Sequence, residues 1–163
     1  MTCPNSGTWT VPSIADFKTF FARDFNYAPT DDPTNLDYVL DDDITRAINE
    51  AIINFNPGLG FNPAIVPPAT ISETTNVFLY LVAFCLIVNI QNSSKGLSSQ
   101  SKFPISSNGV GGVNVAYAIP ERYTKDPILS IYTQNGYGMR YLSMVLPYIT
   151  GRVTTQIGTT TWT

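Results

Sequence analysis

The chain has 163 residues, 44% of them hydrophobic and only 13% charged, with a formal net charge of −3 and no histidine. That length suits one domain with a real core. The charge share is about half the usual one, so Ser, Thr, Asn, Gln and Tyr must supply much of the surface. The absence of His removes the commonest general base and the commonest zinc ligand.

Residues 1–12 are rich in Pro, Gly and Thr and predict an N-terminal arm. Ser13-Ile14-Ala15-Asp16 reads as a capping box with Asp in the usual Glu/Gln place. Ile14, Phe17, Phe20, Phe21 and Phe25 follow at helical spacing, so a first helix is predicted over 13–25. A Pro- and Asp-rich loop follows. The stripe Leu36, Leu40, Ile44, Ile48, Ala51 and Phe55 then predicts a second helix over 36–56. Its wet face would carry the pairs Asp42–Arg46 and Arg46–Glu50, and Pro57-Gly58-Leu59-Gly60 would stop it.

The run Val77 to Val88 is apolar on every side, so as a helix it belongs in a core or a membrane. It falls short of about 20 apolar residues and lacks Lys or Arg close to its ends, which favours a buried central helix. Leu81, Phe84 and Leu86 are the candidate core residues at its centre, and Ser72 with Thr74 and Thr75 supplies capping groups at its start. Gln91 to Gly112 is a long polar stretch of the kind that is functional or orders on a partner. Alternation over Val113, Val115 and Tyr117 predicts a short strand, so 91–120 reads as a loop or hairpin arm. Asp126-Pro127 opens another helix, ended by Asn135-Gly136, and a last helix runs from Tyr137 or Gly138 to Pro147. The Thr-rich segment 151–163 predicts an extended C-terminal tail. The fold class is therefore mainly α: a small helical bundle around a buried central helix over 13–150, with a short strand or hairpin arm and extended terminal arms.

No catalytic, cofactor or metal set emerges. Cys3 and Cys85 without His cannot build a zinc site alone. Asp41-Asp42-Asp43 lacks the spaced ligands and central Gly of a calcium loop. Gly109-Val110-Gly111-Gly112 lacks the Lys-Ser/Thr ending of a phosphate loop and precedes a strand. The serines have no base to activate them, so an enzyme is not expected. Charge is unevenly placed: residues 1–50 hold nine acids against three bases, net −6, and residues 51–163 hold three acids against six bases, net +3. Unlike halves suit a subunit meeting copies of itself head to tail. The acidic first third and the scattered bases do not make a nucleic-acid footprint. Trp9 and Trp162, each in a predicted arm, would either anchor into a partner or fold back on the domain. The N-terminus lacks the basic start and apolar run of a signal peptide, so a cytosolic setting is expected.

Three segments carry a family likeness. Ala15-Asp16-Phe17-Lys18 with Phe20-Phe21, followed by an acidic second helix, is the first, and the apolar central helix is the second. The most specific is the C-terminal third, where Gly111-Gly112-Val113-Asn114-Val115-Ala116-Tyr117 is followed by Asp126-Pro127 and then by Asn135-Gly136-Tyr137-Gly138-Met139-Arg140-Tyr141-Leu142. In this order they resemble the head–tail connector (adaptor, or head-completion) proteins of tailed bacteriophages. Departures are the lack of an Ala-His pair entering the central helix, Asn135-Gly136 in place of the family's Thr, the Ser-rich insert and the Thr-rich tail.

The resemblance implies a virion protein made in the host cytoplasm and placed at the head–tail interface. It would form a ring with itself, twelvefold by expectation, between the portal protein and the tail or neck (stopper) proteins. DNA would pass through the lumen without specific binding, and no membrane is involved. The tail, with Arg152, Val153, Ile157 and Trp162, would hold the portal, and Asp41, Asp42 and Asp43 would face the lumen. One alternative within assembly is a tail-completion or neck subunit that binds the tail tube. Another, of a different class, is a small soluble ligand-binding helical module with a pocket lined by Phe84 and its neighbours.

Overall fold

A computed structural model describes residues 9–93, 107–110, 113–116 and 125–149. Among them the protein is mainly helical, with five α-helices: α1 Ile14–Phe20, α2 Asp41–Asn54, α3 Glu73–Ser93, α4 Pro127–Tyr132 and α5 Gly136–Ile149. Two short strands, β1 Ser107–Val110 and β2 Val113–Ala116, pair antiparallel with Val110 opposite Val113. The N-terminal arm over 1–8, most of the polar stretch after Ser93 and the tail from 150 onward lie outside the described residues, Trp162 among them.

The capping box forms at α1. Ser13 Oγ accepts from the Asp16 N–H, and Asp16 Oδ2 accepts from the Ser13 N–H at 2.8 Å. The Ser13 hydroxyl, donating to Asp16 Oδ2 at 2.7 Å, and then the Ser13 N–H hold that carboxyl below its ordinary pKa. The helix stops at Phe20, short of the predicted Phe25, because the Phe21 carbonyl takes the Tyr27 hydroxyl and the Asp24 N–H instead of continuing the ladder. The turn still delivers Phe25 to the core side, stacked on Tyr137 at 5.6 Å.

The second helix begins at Asp41, five residues later than the Leu36 predicted. Val39 is bridged to Tyr27, exchanging bonds with Asn26 O at 2.8 Å and the Ala28 N–H at 3.0 Å, and a residue held extended cannot open a helix. Leu36 therefore leaves the buried stripe and is 86% exposed. Ile44 and Ala51 of that stripe are buried, and so is Ala47 beside it. After α2 a 3₁₀ turn, Pro57–Leu59, ends at Gly60, whose φ of 91° is a left-handed position suited to glycine.

Helix α3 is buried along most of its middle. It is long and apolar enough to cross a membrane by length and composition, but here α2 and α5 pack on it. Val77, Phe78, Leu79 and every residue from Leu81 to Leu86 are buried, so Leu81, Phe84 and Leu86 are core. Ser72 Oγ accepts from the Thr75 N–H and caps its start. Asp126 caps α4, accepting from the Ile128 and Leu129 N–H groups, with Pro127 at the first position. Asn135 does not simply end α4, as predicted; its Oδ1 accepts the Gly138 N–H at 2.9 Å and so opens α5. Nor does α5 close at Pro147. It continues to Ile149, because Tyr148 is anchored by its hydroxyl on Glu73 and its ring against Phe61 at 4.6 Å.

Candidate functional site

The predicted site residues separate into three places. The tail set, Arg152, Val153, Ile157 and Trp162, lies outside the described residues. The acidic set forms the first turn of α2, where carboxylates meet the unpaired N–H groups and positive end of the helix dipole. It is not a uniform acidic face. Asp41 pairs with Lys18 of α1, and Asp43 turns back to accept the Leu40 N–H at 3.2 Å. Asp42 is exposed. Glu50, expected to pair with Arg46 one turn away, accepts a hydrogen bond from Asn89 of α3 at 2.9 Å.

The third set is the core, in which the Phe84 ring is closely packed among the described residues. That ring is 5% exposed, lies 5.0 Å from the Tyr132 ring and abuts Gly138. A Cβ added at Gly138 would stand 2.1 Å from the Tyr132 carbonyl oxygen and 2.7 Å from Phe84 Cδ2, so α5 approaches α3 and α4 as closely as only glycine permits. Cys85, next along α3, is buried, and that burial pushes its thiol up to about 12 from an ordinary 9.0. In a Cys3→Ser background the native protein is therefore expected to resist thiol reagents at pH 8 and to react only on unfolding. The same raised value makes the proton part of the fold. Its stabilising effect is complete below pH 9.0 and declines as pH rises through about 12. A native-state labelling rate as fast as that of unfolded chain would show that Cys85 is misplaced.

Trp9 folds back on its own domain. Its ring contacts Phe55 at 5.3 Å and Phe78 at 5.2 Å, and its Nε1–H donates to Thr75 Oγ1 at 3.3 Å. Beside it lies an open cleft of about 600 Å³, with Trp9, Val11, Phe20, Ile65, Ile71 and Leu79 in its walls. Glu73 fixes that end of the molecule: one carboxylate oxygen accepts the Tyr148 hydroxyl and the other the Asn62 N–H at 3.0 Å. A single side chain thus joins the start of α3, the end of α5 and the loop that walls the cleft.

At the opposite end of α3, where α2 begins, Leu36, Tyr38, Val39 and Ile90 line a groove of about 440 Å³ together with Asp37 and Asp43. Helical spacing with Leu40 and Ile44 predicts Leu36 in the core stripe. The signal against it was Asn35, whose Oδ1 accepts the Asp37 N–H in an Asx turn, a known competitor of helix. Among the described residues no group of three His, Cys, Asp or Glu stands close enough to hold a metal ion. The two hollows combine apolar side chains with carboxylates, Asp16 in the cleft beside Trp9 and Asp37 and Asp43 in the groove at the other end. No family model, curated protein or solved structure matches the chain.

Proposed function

We propose that this chain is a structural subunit of a tailed-phage virion, a ring-forming adaptor between portal and tail that extends the DNA channel and docks the tail. The observation that carries this reading is the ordered sequence likeness of the three segments, above all Gly111–Tyr117 followed by Asp126-Pro127 and Asn135–Leu142. A mainly helical domain supports it. In this reading the helices form a small bundle around α3, the β1–β2 hairpin is an arm, and residues after Gly151 grip the portal. The subunit is not an enzyme and needs no cofactor. Its partners are its own copies, the portal protein and a neck or tail protein. The lumen-facing role falls mainly to Asp42, since Asp41 and Asp43 already have partners within the subunit. Carboxylates there would keep passing DNA from adhering, because like charge repels the phosphates.

Deleting residues 152–163 tests the tail. The truncated protein is expected to keep its circular dichroism spectrum and melting temperature yet to be absent from purified heads. Attachment at the full-length level would sink the portal-grip role. Electron cryo-microscopy of the portal vertex in complete particles tests the rest, because the adaptor reading requires density for a ring of this chain there.

The open cleft beside Trp9, with its mixed apolar and hydroxyl walls, favours a second reading as a small-ligand module. A protein that stays monomeric with all candidate partners while binding an apolar probe in that cleft would support it over the adaptor.

A further inference from the structure

The cleft beside Trp9 carries a single charged side chain in an otherwise neutral, largely apolar lining among the described residues. Leu79 is buried at its floor with Ile71 half-buried near it, and the walls supplied by α1 and by the loop before α3 present Phe20 and Ile65, 37% and 58% exposed. Much of the polar lining is turned to the protein itself. Ser72 Oγ donates to Thr75 Oγ1 at 2.9 Å, the Trp9 Nε1–H donates to the same oxygen, and Thr19 Oγ1 donates to the Ala15 carbonyl at 2.8 Å. The charged side chain is Asp16. It precedes Phe20 by four residues on α1, so carboxylate and ring share a face of that helix. The bonds that Asp16 accepts come from the Ser13 N–H and hydroxyl, both neutral, so its charge persists. Asp41, by contrast, is matched by Lys18. The cleft volume of about 600 Å³ suits a small organic molecule.

We propose that this cleft binds an amphipathic ammonium compound, its apolar body on Phe20, Ile71 and Leu79 and its cationic head at Asp16. Such selectivity rests on the cleft being a small-ligand site, the second reading above, and adds the class of ligand to it. The apolar body gains by leaving water for the floor and walls. An ammonium head gains further from the opposite charge of Asp16. A carboxylate head would meet repulsion there, with no Lys or Arg in the lining to receive it. A neutral ligand would have the apolar contacts alone.

Three probes of one shape separate these cases: phenylbutylamine, charged at neutral pH as a lysine side chain is, phenylbutanol and phenylbutyrate. Heteronuclear NMR titration of the full-length chain in low-salt buffer reads their binding, with the Trp9 indole N–H as the reporter in the cleft. The amine is expected to bind about fivefold more tightly than the alcohol, and the carboxylate more weakly than either. Asp16→Asn should bring the amine down to the level of the alcohol and leave the alcohol unchanged. Because that change also touches the α1 cap, Ile65→Lys is the second variant. Its position is exposed on another wall, so circular dichroism should stay native while the new cation weakens the amine and tightens the carboxylate. Equal affinity for the three probes would overturn the ammonium selectivity and keep the cleft as a ligand site. Failure of all three to bind would overturn both. An amine preference that survives in Asp16→Asn would overturn the assignment of the cationic head to that carboxylate.

Discussion

Leu81→Asp is expected to leave the chain unfolded at 25 °C, with no cooperative transition in urea and a loss of helical circular dichroism. Leu81 is fully buried in α3, and its neighbours Leu79, Val82, Ala83 and Phe84 are buried with it, so an aspartate there finds no water. Truncating a buried Leu already costs about 2–5 kcal/mol through lost transfer energy and the cavity left behind. The carboxylate adds several kcal/mol, whether it stays charged without a partner or takes up a proton against its ordinary pKa. A domain of this size has only about 5–15 kcal/mol of net stability, so the sum reaches the whole of it. Ile53→Asp on α2 is the matched control. That side chain is 83% exposed, and its replacement should change stability by no more than about 0.5 kcal/mol. Native-like melting of Leu81→Asp would mean that α3 is not buried there.

Gly138→Ala is expected to destabilise the protein by about 1–3 kcal/mol, against the direction that helix propensity alone dictates. In an exposed helix interior, alanine gains about 1 kcal/mol over glycine. At Gly138 the new methyl would meet a backbone carbonyl, Tyr132 O, at 2.1 Å, and backbone cannot step aside as the end of a long side chain can. Shrinking the other neighbour with Phe84→Leu should therefore fail to rescue the variant. Gly136→Ala separates the two effects, because a Cβ there has nothing within 4 Å and should leave stability unchanged or raise it slightly. Urea denaturation of the three variants reads the signs directly. Equal behaviour at Gly136 and Gly138 would show that α5 does not approach α4 and α3 as closely as described.

Much of the helical content was legible from local pattern. The Ser13–Asp16 box and the Asp126-Pro127 start each lie within about one turn of chain, and the all-round apolar run of α3 is one unbroken stretch. Such signals act before any tertiary contact exists. The errors lay where a distant partner outbid a local preference. Leu36 has helical spacing with Leu40 and Ile44, yet the bridge from Tyr27 holds Val39 extended and forces α2 to start later. Phe25 has helical spacing with Phe21, yet the Tyr27 hydroxyl takes the Phe21 carbonyl and turns the chain. Pro147 reads as a stop, but Tyr148 is held from across the molecule by Glu73 and Phe61.

The same division applies to the candidate sites. Composition alone determined that the chain has no histidine and few charges, which removes the commonest general base and leaves much of the surface to uncharged polar residues. The apolar run alone pointed to one buried helix, and Val77 to Leu79 and Leu81 to Leu86 are buried in it. Only the tertiary structure decided that Trp9 closes its own core, that Asp41 and Asp43 are already engaged, and that Leu36 stands outside as the lip of an acidic groove. The physical reason is range. Helix periodicity and capping are settled within about four residues of chain, whereas burial and pairing depend on what another segment brings to the same place.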